Sequence, residues 1–219
     1  GSSDVSEPQP LTRRQQNLAL VTLIVAVVLE IVDLTIVNTA LPAISADFSA
    51  NAEAVQWIVA GYALSFALLL MAGGRLGDSF GYRRMFLWGV AGFTLASAAC
   101  GLARSAEELV AARLLQGSTG ALMSPQAMAL MQVLFSPLER VSKLALFGLV
   151  GGLASIAGPI LGGLLIEADL FGLGWRLVFL INLPVGLLAL VSGWYFLPER
   201  RSAHPAGFDS AGMALFGAA

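Results

Sequence analysis

The 219-residue chain is 57% apolar and 12% charged, whereas a soluble domain carries roughly a quarter charged residues. Its formal net charge of −2 argues against nucleic-acid binding, which needs a basic surface. A single cysteine, Cys100, excludes an internal disulfide, and a single histidine, His204, excludes a multi-histidine metal site. We therefore expect an integral membrane protein without enzymatic activity, bound metal or organic cofactor.

Six apolar stretches are each long enough to cross the roughly 30 Å hydrocarbon core of a bilayer as a helix. They lie at approximately Asn17–Leu41, Val55–Gly73, Met85–Leu102, Leu109–Phe135, Leu144–Ile166 and Leu177–Leu197. None shows the period-2 alternation of a barrel strand, so the predicted fold class is all-α, with six transmembrane helices in one bundle at residues 15–197. Residues 1–14, which start with a remnant of a tag, are predicted to form a tail. The first stretch is too long and too acidic for a cleaved signal peptide.

The first predicted helix contains two acidic residues, Glu30 and Asp33, within an apolar span. An ionisable group inside a membrane is costly, so each is a candidate for function. At about 100° per residue, the two carboxylates and Asn38 lie within one side of the helix. Two carboxylates this close in a low dielectric do not both ionise readily, so one is expected to load and release a proton near neutral pH. The alternative is that one of them snorkels, or pairs with Arg113 as a structural ion pair.

A short charged loop, GRLGDSFGYRR at residues 74–84, follows the second predicted helix. Gly77 and Gly81 permit a tight turn. Asp78 can cap a helix N-terminus or pair with Arg83 or Arg84. The spacing alone predicts a tight turn held by charged side chains.

The fourth predicted helix has one polar stripe on an otherwise apolar surface. About 100° of its circumference holds Arg113, Gln116, Gly117, Gly120 and Ser124. An arginine at this depth can hold an anionic group or act on a nearby carboxylate. The alternative is an arginine that snorkels to the outer surface.

Small residues dominate one face of the fifth predicted helix. Gly148, Gly152, Ser155, Pro159, Gly162 and Gly163 line this face, with Gly151 and Gly158 beside it. Small residues four positions apart let two helices approach closely in lipid, and Pro159 favours a kink. Such a face suits a moving interface, and the alternative is a static packing face.

The Lys and Arg residues predict the orientation in the membrane. Of twelve, nine fall on one side of the predicted spans, two fall on the other and Arg113 lies within a span. The positive-inside rule then places both termini in the cytoplasm. After the sixth span, residues 198–219 are expected to form a polar linker, Pro198–Gly207, and the start of a truncated seventh helix, Phe208–Ala219.

These segments together resemble the major facilitator superfamily, and most closely its 14-helix drug:proton antiporter branch. The run LEIVDLTIVNTALP at residues 29–42 is similar to the signature of that branch, and residues 74–84 resemble motif A. RLLQGSTGALMSP from Arg113 resembles motif B, GPILGG from Gly158 resembles motif C, and WRLVFLINLPVG from Trp175 resembles the start of helix six. Three features depart from the pattern. Tyr82 stands where motif A usually has a basic residue, so the Asp78 latch would rely on Arg83, Arg84 or Arg75 instead. Glu30 lies outside the branch signature, and the glycine pattern before motif C is met only in part.

The resemblance implies a carrier made of two six-helix bundles, each built from two inverted three-helix repeats, with the substrate between them. This chain would be the N-terminal bundle. Proton coupling is assigned to Asp33 and Arg113, with Glu30 added on the physical argument alone. The remaining assignments are a substrate cavity at Asn38, Tyr62, Gln116 and Gln126, a motif A latch at Gly74, Asp78, Gly81, Arg83 and Arg84, and a motif C interface at Gly158, Pro159, Gly162 and Gly163.

The implied function is efflux of lipophilic, often cationic drugs across the bacterial inner membrane, driven by the proton gradient. The implied partners are the bilayer, the small-molecule substrate and a second bundle, with no nucleic acid. Three alternatives stay open: a half-size unit that works as a homodimer, a nutrient:proton symporter, and a membrane scaffold or sensor that transports nothing. Motif C argues against the symporter, and the two buried carboxylates argue against the scaffold.

Overall fold

The computed structural model describes residues 10–199, which form six long helices and no strand. The helices are α1 (Arg13–Phe48), α2 (Ala52–Phe80), α3 (Tyr82–Gly101), α4 (Ala106–Leu134), α5 (Pro137–Ala168) and α6 (Arg176–Phe196). A short 3-10 turn, Leu170–Gly172, precedes α6, which continues through Ile181 at φ −60° and ψ −23°. The all-α prediction is confirmed. The predicted start of a seventh helix lies outside the described residues.

Side-chain caps explain where four of the helices begin. The first turn of a helix has backbone N–H groups without partners, and a side-chain oxygen just before the helix can accept one of them. Thr12, Asn51, Ser105 and Ser136 accept from the backbone N–H groups of Gln15, Ala54, Glu108 and Glu139. Gly81, at φ 105°, separates α2 from α3, so the predicted tight turn is one residue long.

The contacts of the first three helices are repeated by the last three. Helix α1 packs on α5 as α4 packs on α2, and α1 packs on α6 as α4 packs on α3. Exchanging α1 with α4, α2 with α5 and α3 with α6 therefore maps one set of contacts onto the other. This is the pairing that two three-helix repeats produce, and it places α1 and α4 together at the centre of the bundle.

Helices α2 and α4 approach each other so closely that two contact positions have room only for glycine. A Cβ atom on Gly73 would lie 2.1 Å from the carbonyl oxygen of Ala121, and one on Gly117 would lie 2.2 Å from that of Tyr62. Pro125 has no N–H to bond the Ala121 carbonyl within α4. Small residues at helix contacts are the usual means of close packing in lipid.

Four helices, α1, α2, α5 and α6, are long and apolar enough to cross a membrane. The prediction of six spans extends to α3 and α4, which have sufficient length but a less apolar composition. The difference has a physical reason in α4. Much of its surface, including Arg113 and Gln116, is buried against other helices, so it needs fewer apolar side chains facing lipid.

Candidate functional site

The polar residues of the bundle centre lie between two apolar clusters of the core. One cluster includes Leu29, Tyr62 and Phe93, and the other includes Ile36, Ile58 and Leu109. Glu30 and Asp33 lie on α1 between Leu29 and Ile36, so they sit where the two clusters meet. Both carboxylates are buried on the side of α1 that faces α4, which agrees with the predicted shared face.

Asp33 is held by donors from two neighbouring helices. Arg113 Nη1 on α4 donates to Asp33 Oδ2 at 2.6 Å, and both side chains are fully buried. Gln116 Nε2 and Asn182 Nδ2 each donate to Asp33 Oδ1 at 3.1 Å. Both carboxylate oxygens are thus occupied, and a buried charge with this pairing is stabilised as an anion.

Arg113 is fixed by several further contacts and does not snorkel. Its Nε donates to the carbonyl oxygen of Ile58 at 3.0 Å, and its Nη1 also donates to Gln116 Oε1 at 2.8 Å. The guanidinium carbon lies 4.7 Å from the ring centroid of Tyr62 and 5.9 Å from that of Phe179. Its Nη2 has no hydrogen-bond partner within residues 10–199. The structural ion pair considered from the sequence is therefore present, and it involves Asp33.

Glu30 has a different environment. Ser124 Oγ donates to Glu30 Oε2 at 2.5 Å, while Glu30 Oε1 is buried without a hydrogen-bond partner in the described chain. No arginine or lysine of that part of the chain lies within ion-pair distance of Glu30. The Glu30 carboxyl group is thus half satisfied, which is costly for a buried anion.

Tyr62 on α2 lies between Arg113 and Glu30. Its ring stacks on Phe66 and carries the Arg113 guanidinium on one face. The hydroxyl of Tyr62 lies beside Gly120 and has no hydrogen-bond partner among the described residues. A Cβ atom on Gly120 would lie 2.9 Å from this hydroxyl and 3.0 Å from Glu30 Oε1, so both unpaired oxygens border the same point.

Two uncharged polar residues of this centre, Ser97 and Asn182, were not predicted from the sequence. Ser97 on α3 accepts from Gln116 Nε2 at 2.9 Å and from Asn182 Nδ2 at 3.3 Å, and both residues are buried. Neither carries a charge, so a search for ionisable groups within the spans passes over them. The only signal is that a serine and an asparagine interrupt apolar stretches, where a polar group needs a partner.

The four predicted cavity residues do not lie together. Gln116 and Tyr62 belong to the centre just described. Asn38 is exposed on α1. Gln126 is buried and donates to the carbonyl oxygens of Gly73 and Leu122, at 2.7 and 2.8 Å, so its contacts join α4 to α2. Its place in a substrate cavity stays a prediction.

In the motif A latch, Asp78 accepts a hydrogen bond from a neighbouring tyrosine. Asp78 Oδ1 accepts from the Tyr82 hydroxyl at 2.8 Å, and neither Arg83 nor Arg84 forms an ion pair with Asp78. Arg83 instead donates to the carbonyl oxygen of Trp194 on α6 at 2.8 Å. Tyr82, the residue that departs from the family pattern, therefore donates to Asp78. Gly81 lies at the turn, as expected, whereas Gly74 lies within α2. The segment 74–84, predicted as a loop, is therefore helical except at Gly81, because α2 continues beyond its apolar stretch to Phe80.

The small residues of α5 divide into two faces, whereas the sequence analysis placed most of them on one. Gly151, Gly158 and Gly162 are buried against α1, where Thr35, Ile36 and Ile31 leave little or no room for a Cβ. Gly148, Gly152 and Gly163 have nothing within 4 Å of an added Cβ, and Pro159 is exposed. Motif C is therefore split between a packing contact with α1, at Gly158 and Gly162, and an open face.

Comparison with protein families and curated proteins gives consistent matches. The Major Facilitator Superfamily model matches residues 23–217. The chain is 46% identical to the probable actinorhodin transporter of Streptomyces coelicolor, over 95% of this chain and 36% of that protein. It is 44% identical to the tetracenomycin C resistance and export protein of Streptomyces glaucescens, over 91% of this chain and 37% of that protein. A puromycin resistance protein of Streptomyces alboniger is 40% identical over 90% of this chain and 38% of that protein. The chain thus spans little more than a third of the length of these relatives.

Solved structures match the same fold. A bacterial homologue of the human lysosomal transporter Spinster, in an inward-facing and unoccupied conformation, superposes with a TM-score of 0.77. The match covers 93% of this chain and 48% of that one at 21% identity, so it supports the fold alone. A peptide transporter in complex with sulfate gives a TM-score of 0.71 at 16% identity, over 91% of this chain and 44% of that one. The apolar helices and these matches indicate a multi-pass membrane protein.

Proposed function

Because the chain belongs to the Major Facilitator Superfamily, we propose that it forms one six-helix bundle of a proton-coupled exporter of antibiotics or other drugs. Relatives named for actinorhodin transport, tetracenomycin C export and puromycin resistance support efflux. The proposed cargo is a lipophilic cation, and the proposed energy source is the proton gradient, without a cofactor. The rest of the carrier would come from a second bundle, which closes the cavity against α1 and α4.

The unequal pairing of the two buried carboxylates is the observation that carries proton coupling in this proposal. Asp33 has donors on both oxygens and an arginine partner, so it is satisfied as an anion. Glu30 has one donor and no cation, so its Oε1 becomes satisfied only when a proton or a cationic group arrives. Glu30 is therefore the proposed carrier of the exchanged proton, and Asp33 with Arg113 is the fixed charge pair beside it.

Antiport follows if proton and cargo compete for this one carboxyl group. A protonated Glu30 is neutral and has no charge to attract a cation. A cation that reaches the carboxylate displaces the proton, and a proton that returns from the opposite side displaces the cation. The Tyr62 hydroxyl and the space in front of Gly120 border the unpaired oxygen, so they lie where the competing groups would meet.

The proposed orientation places the end of the bundle with the most basic residues in the cytoplasm of a bacterial inner membrane. In the described chain this end carries Arg13, Arg14, Arg75, Arg83, Arg84, Arg140 and Lys143, whereas Arg104 and Arg176 lie at the other end. A contact between Arg13 and Glu139 at 3.7 Å brings the starts of α1 and α5 together at the basic end.

The competition can be measured as proton release from the purified chain in an unbuffered detergent solution. Addition of tetraphenylphosphonium, a lipophilic cation, should release protons from the wild-type chain. Glu30→Gln should abolish the release because it removes the competing acid and keeps the shape of the side chain. Glu53→Gln, at the exposed start of α2, is the matched control and should release protons as the wild type does. Unchanged release from Glu30→Gln would reject Glu30 as the carrier.

A further inference from the structure

A second candidate site lies far along the bundle from Asp33 and Glu30, between the start of α3 and the end of α6. There a cavity of about 890 Å³ opens on the surface of the described bundle. The charged residues of its lining are Arg83 and Arg84 on α3 and Glu199 after α6. The remaining lining is apolar or aromatic, and none of it takes part in the carboxylate centre.

The two arginines of this groove have no carboxylate partner within residues 10–199. Arg83 is aimed across the groove, since its Nη2 donates to the Trp194 carbonyl oxygen and its guanidinium carbon lies 4.8 Å from the Trp194 ring centroid. Arg84 is exposed and forms no hydrogen bond or ion pair with another described residue. Glu199 forms an ion pair with neither arginine, and its Oε1 is turned toward Gly81. The groove therefore has one net positive charge that is free to bind an anion.

The groove is polar at one end and apolar at the other. From Arg84 to Ala91, α3 rises by about 10 Å, and over this distance the lining changes from guanidinium groups to aliphatic side chains. Trp88 and Trp194 stand at its edges with 65% and 63% of their surface exposed. Tryptophan at this height is typical of the interface between headgroups and acyl chains.

We propose that this groove is a binding site for an anionic phospholipid of the cytoplasmic leaflet. The phosphate would lie between Arg83 and Arg84, where guanidinium groups suit phosphate oxygens. One acyl chain would follow Leu87, Ala91 and Leu190 along the groove. A free phosphate ion matches only the basic end, whereas a phospholipid matches both ends. The inference depends on the chain being embedded in a membrane, and its leaflet depends on the proposed orientation, but neither depends on what the chain transports.

The test uses fluorescence of the chain in phosphatidylcholine nanodiscs in which the fraction of brominated lipid is raised in matched steps, with either brominated phosphatidylglycerol or brominated phosphatidylcholine. Bromine on an acyl chain quenches a neighbouring tryptophan, and a Trp57→Phe background removes the one exposed tryptophan outside the groove among the described residues, since Trp175 is buried. Brominated phosphatidylglycerol should quench more than the same fraction of brominated phosphatidylcholine. The excess should titrate with the fraction of phosphatidylglycerol, which gives an apparent affinity.

Arg84→Gln is the diagnostic variant because Arg84 is exposed and forms no hydrogen bond or ion pair within the described chain whose loss would disturb the fold. It should lower the apparent affinity for phosphatidylglycerol about fivefold, and Arg83→Gln with Arg84→Gln should lower it further. Arg104→Gln, an exposed arginine at the opposite end of α3, is the matched control and should leave the affinity unchanged. Equal quenching by the two brominated lipids, or an apparent affinity that Arg84→Gln leaves unchanged, would overturn the proposal. Absence of quenching by either lipid would also overturn it, because the groove would then be covered by protein.

Discussion

Asp33 and Arg113 illustrate why a charged residue inside a membrane needs a partner in the folded chain. Both side chains are fully buried, and Asp33 on α1 accepts hydrogen bonds from Arg113 on α4 and from Asn182 on α6. Desolvation of two charges costs several kcal/mol, and a short, well-donated ion pair offsets that cost. The pair also ties α1 to α4, the two helices that the repeat pattern places at the centre.

Arg113→Leu should destabilise the chain strongly, because it leaves Asp33 as a buried anion without a cation. We expect a loss of about 3–5 kcal/mol in the free energy of unfolding, measured by denaturant titration in detergent. Combining it with Asp33→Asn should recover part of this loss, since the uncompensated charge is gone. Equal destabilisation by the single and the double variant would show that Arg113 acts through packing alone.

Tyr62 offers two substitutions that separate its ring from its hydroxyl. Tyr62→Phe keeps the stacking on Phe66 and the contact with Arg113, and it removes a hydroxyl that has no partner, so stability should hardly change. Tyr62→Leu removes the ring as well and should lower the free energy of unfolding by about 2 kcal/mol. The same denaturant titration compares them. A large loss in Tyr62→Phe would mean that the hydroxyl has a partner in the folded protein.

At single positions the sequence identifies the residues with an unusual role more readily than it identifies their hydrogen-bond or ion-pair partners. Charge within an apolar span was enough to select Asp33, Glu30 and Arg113. The hydrogen bond from Tyr82 to Asp78 was not predictable from charge, because a tyrosine hydroxyl is uncharged. Ser97 and Asn182 were missed because uncharged polar residues are common in spans and become informative only when their neighbours are known.

At the level of helices, the glycines of α2 and α4 have a different role from several of those in α5. Gly73→Ala and Gly117→Ala should each force α2 and α4 apart, because the added Cβ would meet a backbone carbonyl oxygen at close to 2 Å. Overpacking of this kind costs about 1–3 kcal/mol, which a thermal unfolding measurement in detergent can detect.

The matched control for these substitutions is on α5. Gly148→Ala and Gly152→Ala add a Cβ where nothing lies within 4 Å, so they should leave the unfolding temperature unchanged or raise it slightly. Equal changes in unfolding temperature for the substitutions on α2 and α4 and for those on α5 would contradict the close approach of α2 and α4. The spacing of small residues predicts that an interface exists, but two adjacent faces of α5 share nearly the same spacing. Only the position of α1 decides which face is packed.

For the whole molecule, the six apolar stretches predicted the six long helices of residues 10–199 and their order, because length and hydrophobicity are the main requirements for a span. The paired contacts of α1 with α5 and α4 with α2 could not be obtained that way, since they depend on side-chain shape along each helix. The superfamily resemblance supplied the expectation of repeats. A homodimer and a larger single-chain carrier both remain open as alternatives. The exposed side of α5 could form the interface in either arrangement.

The measurement that tests the central claim most directly is dye uptake into everted membrane vesicles with an imposed proton gradient. The chain is tested alone and as a chimera in which it replaces the aligned part of the Streptomyces coelicolor relative. The proposal predicts gradient-dependent uptake of a cationic dye by the chimera and its loss in the Glu30→Gln variant. Uptake by the chain alone would mean that two copies complete each other. A chimera that is silent while the parent is active, or one whose uptake ignores the gradient or the Glu30→Gln substitution, would contradict the proposed proton-coupled exporter.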